Sequence, residues 1–172
     1  MEMVENGIKV YEPYSQAEVI RLYQDVVYRV AFVYCKNAAD AEDITQEVFI
    51  RYLKSKKSFE SEEHLKAWLI RVTINASRSL LRTAWFRKIT PLSVHEELPD
   101  ESADDNNTNS NIETFNAVMA LPDKYRSVIL LFYFEDYSIK EIANILRRTE
   151  TAVQTQLQRA RAMLKKVLSE VD

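Results

Sequence analysis

Among 172 residues there is a single glycine, Gly7. Glycine-rich phosphate loops and dinucleotide-binding turns need several residues free of a Cβ. Neither fits this chain, and tight hairpins should be few. Proline is sparse as well, at Pro13, Pro91, Pro99 and Pro122, so long stretches hold nothing that breaks a helix. Apolar residues make up 47% of the chain and charged residues 28%, enough to bury a core in one domain or in two small ones. Cys35 is the one cysteine and excludes an internal disulfide, and His64 and His95 are too few to hold zinc by themselves. No apolar run reaches the ~18 residues of a membrane span. The start, MEMVENGIKVYEP, has neither the basic nor the apolar block of a secretory signal. A cytoplasmic protein with no membrane insertion of its own is the expectation.

The formal net charge of −3 hides a segregation. Residues 1–65 hold eight basic and twelve acidic side chains. Residues 66–90 hold six basic ones (Lys66, Arg71, Arg78, Arg82, Arg87, Lys88) and no acid; residues 91–116 hold seven acids and no base. Residues 117–172 return to nine basic and seven acidic. The stretch Pro91 to Glu113, PLSVHEELPDESADDNNTNSNIE, has few apolar anchors with which to offset its ordering entropy. It reads as a linker and places a boundary between two domains, with 91–111 as the acidic segment between residues 1–90 and 112–172. It fits an ordinary solvated loop, a tether, or a cover for a basic surface.

Both flanking parts carry helical periodicity. Val19, Leu22, Val26, Val30 and Val33 form one face, with Tyr23 and Tyr34 beside it. In DAEDITQEVFIRYLKS, Asp40 to Ser55, Ile44, Val48 and Tyr52 recur four apart, flanked by Phe49 and Leu53. A third helix is expected from about Glu62 to Trp85 on the stripe Leu65, Leu69, Val72, Ala76 and Leu80. Beyond the linker, Ile112, Phe115 and Met119 begin a helix, and Pro122 opens another with Tyr125, Val128, Ile129 and Phe132 inward. Ser138 and Glu141 form a capping box before a short helix. After the break at Arg147, Arg148 and Thr149, a long helix runs from Glu150 to Leu168 on Val153, Leu157, Ala160, Leu164 and Leu168. No segment alternates as a strand would. The expected fold is all-α: two small helical domains joined by an acidic flexible linker, the second of helix-turn-helix type.

The polar faces suggest what these helices meet. On the last helix Thr151, Gln154, Thr155, Gln158, Arg161 and Lys165 lie away from the core, with Arg159 at its flank and Arg147 and Arg148 in the turn before it. Such residues read base edges or hold phosphates; a long solvated helix face has the same composition. On the third helix Arg71, Asn75, Arg78 and Arg82 form a stripe near Trp68, Trp85 and Phe86, the pairing of cations and aromatics that suits melted nucleic acid. Core packing is the commoner fate of Trp68. The second helix crowds Asp40, Glu42, Asp43, Gln46 and Glu47 into its first turns, more acid than dipole complementarity needs, which fits a docking face for a basic protein as well as a solvated one. No catalytic constellation is found.

With these segments in this order, the chain resembles the extracytoplasmic-function sigma factors, small subunits of bacterial RNA polymerase in the sigma-70 superfamily. DAEDITQEVFIRYLKS is similar to the family's segment for gripping core polymerase, and HLKAWLIRVTINASRSLLR to the segment that meets the minus-ten element. ALPDKYRSVILLFYFEDYSIKEIANILRRTETAVQTQLQRARAML is similar to the domain that reads the minus-thirty-five element. The resemblance implies a transcription initiation factor with no cofactor and no enzymatic activity. Its partners would be core polymerase, promoter DNA and an anti-sigma protein, and it would be a monomer when free.

Residue by residue, the resemblance implies that Asp40, Asp43, Gln46, Glu47 and Arg51 bind core, with Phe49 on the same helix. The turn Lys54 to Ser61, with Lys56 and Phe59, corresponds to the loop that captures a flipped base, and Arg71, Asn75, Arg78 and Arg82 to the promoter-opening face. Arg147, Arg148, Thr151, Gln154, Thr155, Gln158, Arg159 and Arg161 correspond to the minus-thirty-five reader. The chain departs from the family pattern at Ser79, where an Asp is common, and at Thr83, where a second Arg often follows Arg82. Gln154 and Gln156 stand where Lys and Arg are common, and Arg147 stands at the usual turn glycine, a position that favours positive φ. Two regulators of other kinds fit the composition: a dimeric helix-turn-helix repressor or activator on a palindrome, and an adaptor that binds only proteins.

Overall fold

The structure, a computed structural model, describes residues 3–5, 8–10, 14–86 and 108–170. The chain divides into two compact units, Met1–Ser93 and Val94–Asp172. The acidic segment expected at 91–111 lies outside the described residues except for its end, where a helix already begins at Thr108. His95 and the side chains of Trp85 and Phe86 also lie outside them.

The first unit opens with two short antiparallel strands, β1 (Met3–Glu5) and β2 (Ile8–Val10), paired Met3 to Val10 and Glu5 to Ile8. The sequence reading anticipated no strand. Three helices follow: α1 (Gln16–Cys35), α2 (Ala38–Lys54) and α3 (Glu62–Phe86), each packed on the other two. Their starts are local events. The Ser15 hydroxyl accepts from the Glu18 backbone N–H, and the Glu18 carboxylate accepts from that of Ser15, a reciprocal cap that holds Glu18 below the usual carboxylate range. Asn37 caps α2 through the Asp40 N–H at 2.9 Å, and Ser61 accepts from His64 at the start of α3.

The inward face of α1 differs from the expected one. Val19, Tyr23, Val27, Val30, Ala31 and Tyr34 are buried, whereas Leu22 is exposed and Val26 half-buried. Tyr23 wins the inward position because its ring fills the core while its hydroxyl reaches the Glu62 carboxylate at 2.8 Å, tying α1 to the start of α3. On α3 the buried set is Leu65, Leu69, Ile70, Thr73, Ile74, Ala76 and Ser77, with Val72 and Leu80 only half-buried. Thr73 and Ser77 are tolerated inside because they are small; the Thr73 hydroxyl donates back to the Leu69 carbonyl at 2.7 Å.

Cys35 closes this core, and burial pushes its thiol up to about 11, with the Ser77 hydroxyl pulling the other way. Native Cys35 should therefore hold about one-hundredth of the thiolate of an ordinary cysteine at neutral pH. Iodoacetamide should modify it far more slowly in buffer than in urea; equal rates would contradict this burial.

The second unit has α4 (Thr108–Ala120), α5 (Asp123–Ile129), a π-helical stretch Leu130–Phe134, α6 (Ile139–Leu146) and α7 (Glu150–Ser169). Helices α4, α5 and α6 all pack against α7. Pro122 precedes α5 directly, as its missing N–H allows. Widening of the next turn to π geometry buries Leu130 and Leu131 and leaves Tyr133 and Phe134 exposed, with Phe132 half-buried rather than fully inward. Ser138 and Glu141 form the capping box the sequence announces, which lowers the Glu141 carboxyl below its ordinary range. On α7 Val153, Leu157 and Ala160 are buried, while Leu164 and Leu168 are half-buried.

Candidate functional site

Helix α2 turns a mixed face to solvent. Asp43, Gln46, Ile50, Arg51, Leu53 and Lys54 are exposed, with Asp40 and Glu47 half-buried at its margin. Glu47 and Arg51 pair one turn apart. Leu53, which flanks the expected apolar stripe, is 44% exposed and Ile50 is 49% exposed, because Ala41, Ile44, Val48 and Phe49 already fill the side toward α1 and α3. The acids and the two apolar side chains recur at helical spacing, so one stripe offers acidic charge at its N-terminal end and apolar surface, flanked by Arg51 and Lys54, toward its C-terminal end. Such a stripe matches the anatomy of a protein interface better than that of a purely solvated helix.

The loop between α2 and α3 is held by aromatic packing. Phe59 is 7% exposed and lies edge-on to Trp68 at 5.5 Å and to His64 at 5.5 Å, with Tyr52 at 6.5 Å. The ring of Phe59, expected among the DNA contacts, packs in the core of the loop, and Lys56 is the exposed member of that pair. Trp68 is half-buried in the same cluster. On α3, Asn75 and Arg82 are exposed, and Arg71 and Arg78 are half-buried. The Arg78 guanidinium sits 5.5 Å over the Tyr34 ring, a cation–π contact that fixes its direction. The four residues thus share one side of α3, with Arg71 and Arg78 partly absorbed by packing.

Helices α6 and α7 have the helix-turn-helix form. Arg147 ends α6 in the left-handed region, φ 53° and ψ 52°, the conformation anticipated for the position of a missing glycine. Thr149 then caps α7 by accepting from the Ala152 N–H at 3.1 Å. Replacing Arg147 by glycine should relieve the Cβ clash and stabilise this unit by about 1 kcal/mol, roughly 4–8 °C in melting temperature. Calorimetry of the Arg147→Gly chain reads this directly, and a lower melting temperature would show that the turn is not strained.

Thr151, Gln154, Gln158 and Arg159 are exposed on α7, and Thr155 is half-buried with its hydroxyl donating to the Thr151 carbonyl. Arg148 and Arg161, expected on the same surface, are engaged within the protein. The Arg148 Nη1 donates to the Lys124 carbonyl and to Gln156. The Arg161 Nε donates to the Tyr133 hydroxyl at 2.7 Å while its guanidinium lies 5.5 Å over Phe132. The sequence reading also missed Lys124 and Gln156, which line a cleft with Tyr125 and Arg159. The signal that would have found Lys124 is its place two residues after Pro122, at the start of a helix facing α7.

Comparison with known proteins extends these observations. Residues 19–87 match the family model for sigma-70 region 2, and residues 114–164 match that for sigma-70, region 4. The ECF RNA polymerase sigma factor SigW of Bacillus subtilis is 27% identical over 186 aligned positions, covering 98% of this chain and 98% of SigW. RNA polymerase sigma factor SigV of the same organism is 30% identical over 146 positions, covering 84% of this chain and 86% of SigV. Among solved structures, the sigma factor RpoE in complex with the anti-sigma factor NepR from Bartonella quintana shares the fold. Its TM-score is 0.74 at 21% identity, over 89% of this chain and 96% of RpoE.

Proposed function

We propose, for a chain that belongs to the extracytoplasmic-function sigma factors of the sigma-70 superfamily, a division of labour among its exposed helix faces. The chain is an RNA polymerase sigma factor that acts in transcription initiation and is not itself an enzyme. In this reading residues 1–90 anchor to bacterial core polymerase through Asp40, Asp43, Gln46, Glu47 and Arg51 on α2, with Ile50 and Leu53 continuing the contact. Lys56, Asn75, Arg78 and Arg82, with Arg71 at the margin, meet the melted minus-ten strand, and Phe59 keeps the loop that carries Lys56 in shape. Residues 91–111 tether this part to residues 112–172. There Thr151, Gln154, Thr155 and Gln158 reach base edges of the minus-thirty-five element, and Arg147 and Arg159 reach phosphates.

The observation that best supports this reading is the α7 face: hydroxyls, amides and a cation exposed together on the second helix of a capped helix-turn-helix. Weak single contacts suffice when core holds both units on one promoter. An anti-sigma protein is the regulatory partner in this proposal, by likeness of fold to the RpoE of the NepR complex, and the free chain is a monomer. Among the described residues no helix is long and apolar enough to cross a membrane.

Run-off transcription tests the reading. Core polymerase supplemented with the full chain should initiate at a defined subset of promoters in a genomic pool, and core alone should not. No directed initiation with a well-folded chain would overturn it. A symmetric footprint from the chain without core would favour a dimeric regulator instead.

A further inference from the structure

Arg148 follows the left-handed residue of the turn, and this aims its side chain back across the unit. Its Nη1 donates to the Lys124 carbonyl at 3.2 Å, at the start of α5, and to Oε1 of Gln156 at 2.7 Å, on α7. A guanidinium has donors only, so the Gln156 atom that faces it is the carbonyl oxygen. The amide NH2 is then the donor that Gln156 has to offer elsewhere.

Gln156 also lines a cleft of about 390 Å3 between the start of α5 and the first turns of α7. Lys124, Tyr125, Thr151, Thr155 and Arg159 share that lining, and no acidic side chain does. The Arg159 guanidinium, and after it the Lys124 ammonium, hold the Tyr125 phenol below its usual range; the Lys124 Nζ is 4.9 Å from the centre of that ring. The cleft therefore collects two cations, the Thr151 hydroxyl and one oriented amide, donors of the kind that a singly charged phosphodiester oxygen accepts from.

We propose that Gln156 donates its amide NH2 to a backbone phosphodiester of duplex DNA seated in this cleft, and that Arg148 is the positioning residue that turns the amide without touching DNA. The inference rests on the helix-turn-helix reading above and deepens it. It replaces the expected phosphate contact by Arg148 with a neutral contact made one step away. The two possibilities separate by salt. A cation on a phosphate releases counterions and contributes ~0.9 to the slope of log affinity against log salt, whereas a neutral donor contributes nothing to it.

The test uses holoenzyme, made from bacterial core polymerase and the full chain, on a promoter fragment that the wild type protects, titrated with KCl. Gln156→Met should weaken binding about 3- to 10-fold at about 0.1 M KCl with the slope unchanged. Arg148→Met should do the same, and the double variant should be no weaker than Gln156→Met alone. Gln156→Met keeps the Arg148 bond to the Lys124 carbonyl, so it reports even if Arg148→Met loosens the fold, which melting curves will show.

Unchanged affinity in Gln156→Met would overturn the proposal. So would a flatter slope in Arg148→Met with additive losses, which would make Arg148 a direct contact. If wild-type holoenzyme protects no promoter, the function reading fails. The same variants with the full chain on non-specific duplex then decide the cleft. Inorganic phosphate that binds the chain in the absence of DNA, and is lost in Gln156→Met, would make this a free-anion site and overturn the duplex assignment.

Discussion

Arg126→Met should destabilise the C-terminal unit by about 3 kcal/mol, on the order of 15 °C in melting temperature, while the N-terminal unit keeps its own transition. The reason lies at the end of α4. The last carbonyls of a helix have no partner of their own. Here the Leu121 carbonyl beyond that end accepts from the Arg126 Nη1 at 2.7 Å, and the Met119 carbonyl accepts from the same atom at 3.3 Å. The side chain that supplies these bonds is only 5% exposed. Its Asp123 neighbour at 3.9 Å is half-open to water and adds little.

Methionine fills nearly the same volume but donates nothing, so buried carbonyls are left without their charged donor. Hydrogen exchange is the sharper measurement: amides of α4 and α5 should lose protection, and those of α1–α3 should not. An unchanged melting curve would mean that water replaces the guanidinium and that this end of α4 is not closed. The consequence reaches function, because α4 and α5 both pack on α7 and set the footing of its reading face.

How much of this was legible beforehand depended on how local each cause is. Helices α2 and α7 and the Ser138–Glu141 cap are encoded in windows of a few residues, and the sequence announced them. The turn at Arg147 was legible too, because a left-handed corner without glycine is a local demand. Strands β1 and β2 were missed although Asn6-Gly7, between them, is a strong hairpin signal; the glycine count argued the other way. The α1 stripe came out wrong because Leu22 and Tyr23 compete for one inward position, and Glu62, thirty-nine residues on, decides it.

The candidate site follows the same rule. Exposed Gln154 and Gln158 could be read from periodicity. Whether Arg148, Arg161 or Phe59 faces outward could not, because each is claimed by a partner on another element: Gln156 and the Lys124 carbonyl, Tyr133, and Trp68. A guanidinium serves protein oxygens and phosphates equally well, and only packing chooses.

Asp43→Lys should lower affinity for core polymerase by about 2–3 kcal/mol, roughly 30- to 150-fold. The side chain is exposed, and no hydrogen bond of the fold described above depends on it. Folding should therefore change little, by the ~0.5 kcal/mol that a cation near a helix N-terminus costs. If α2 docks by charge at one end and by apolar contact at the other, the two ends should respond differently to salt. The deficit of Asp43→Lys should shrink as KCl is raised, because the lost attraction and the new repulsion are both screened. Leu53→Ala, at the apolar end, should show a smaller deficit that salt does not relieve. Fluorescence titration of labelled chain with core measures both. Equal affinity for wild type and Asp43→Lys at low salt would remove α2 as the anchor. A Leu53→Ala deficit that vanished with salt would remove the apolar half of the stripe from the interface and leave only its charge.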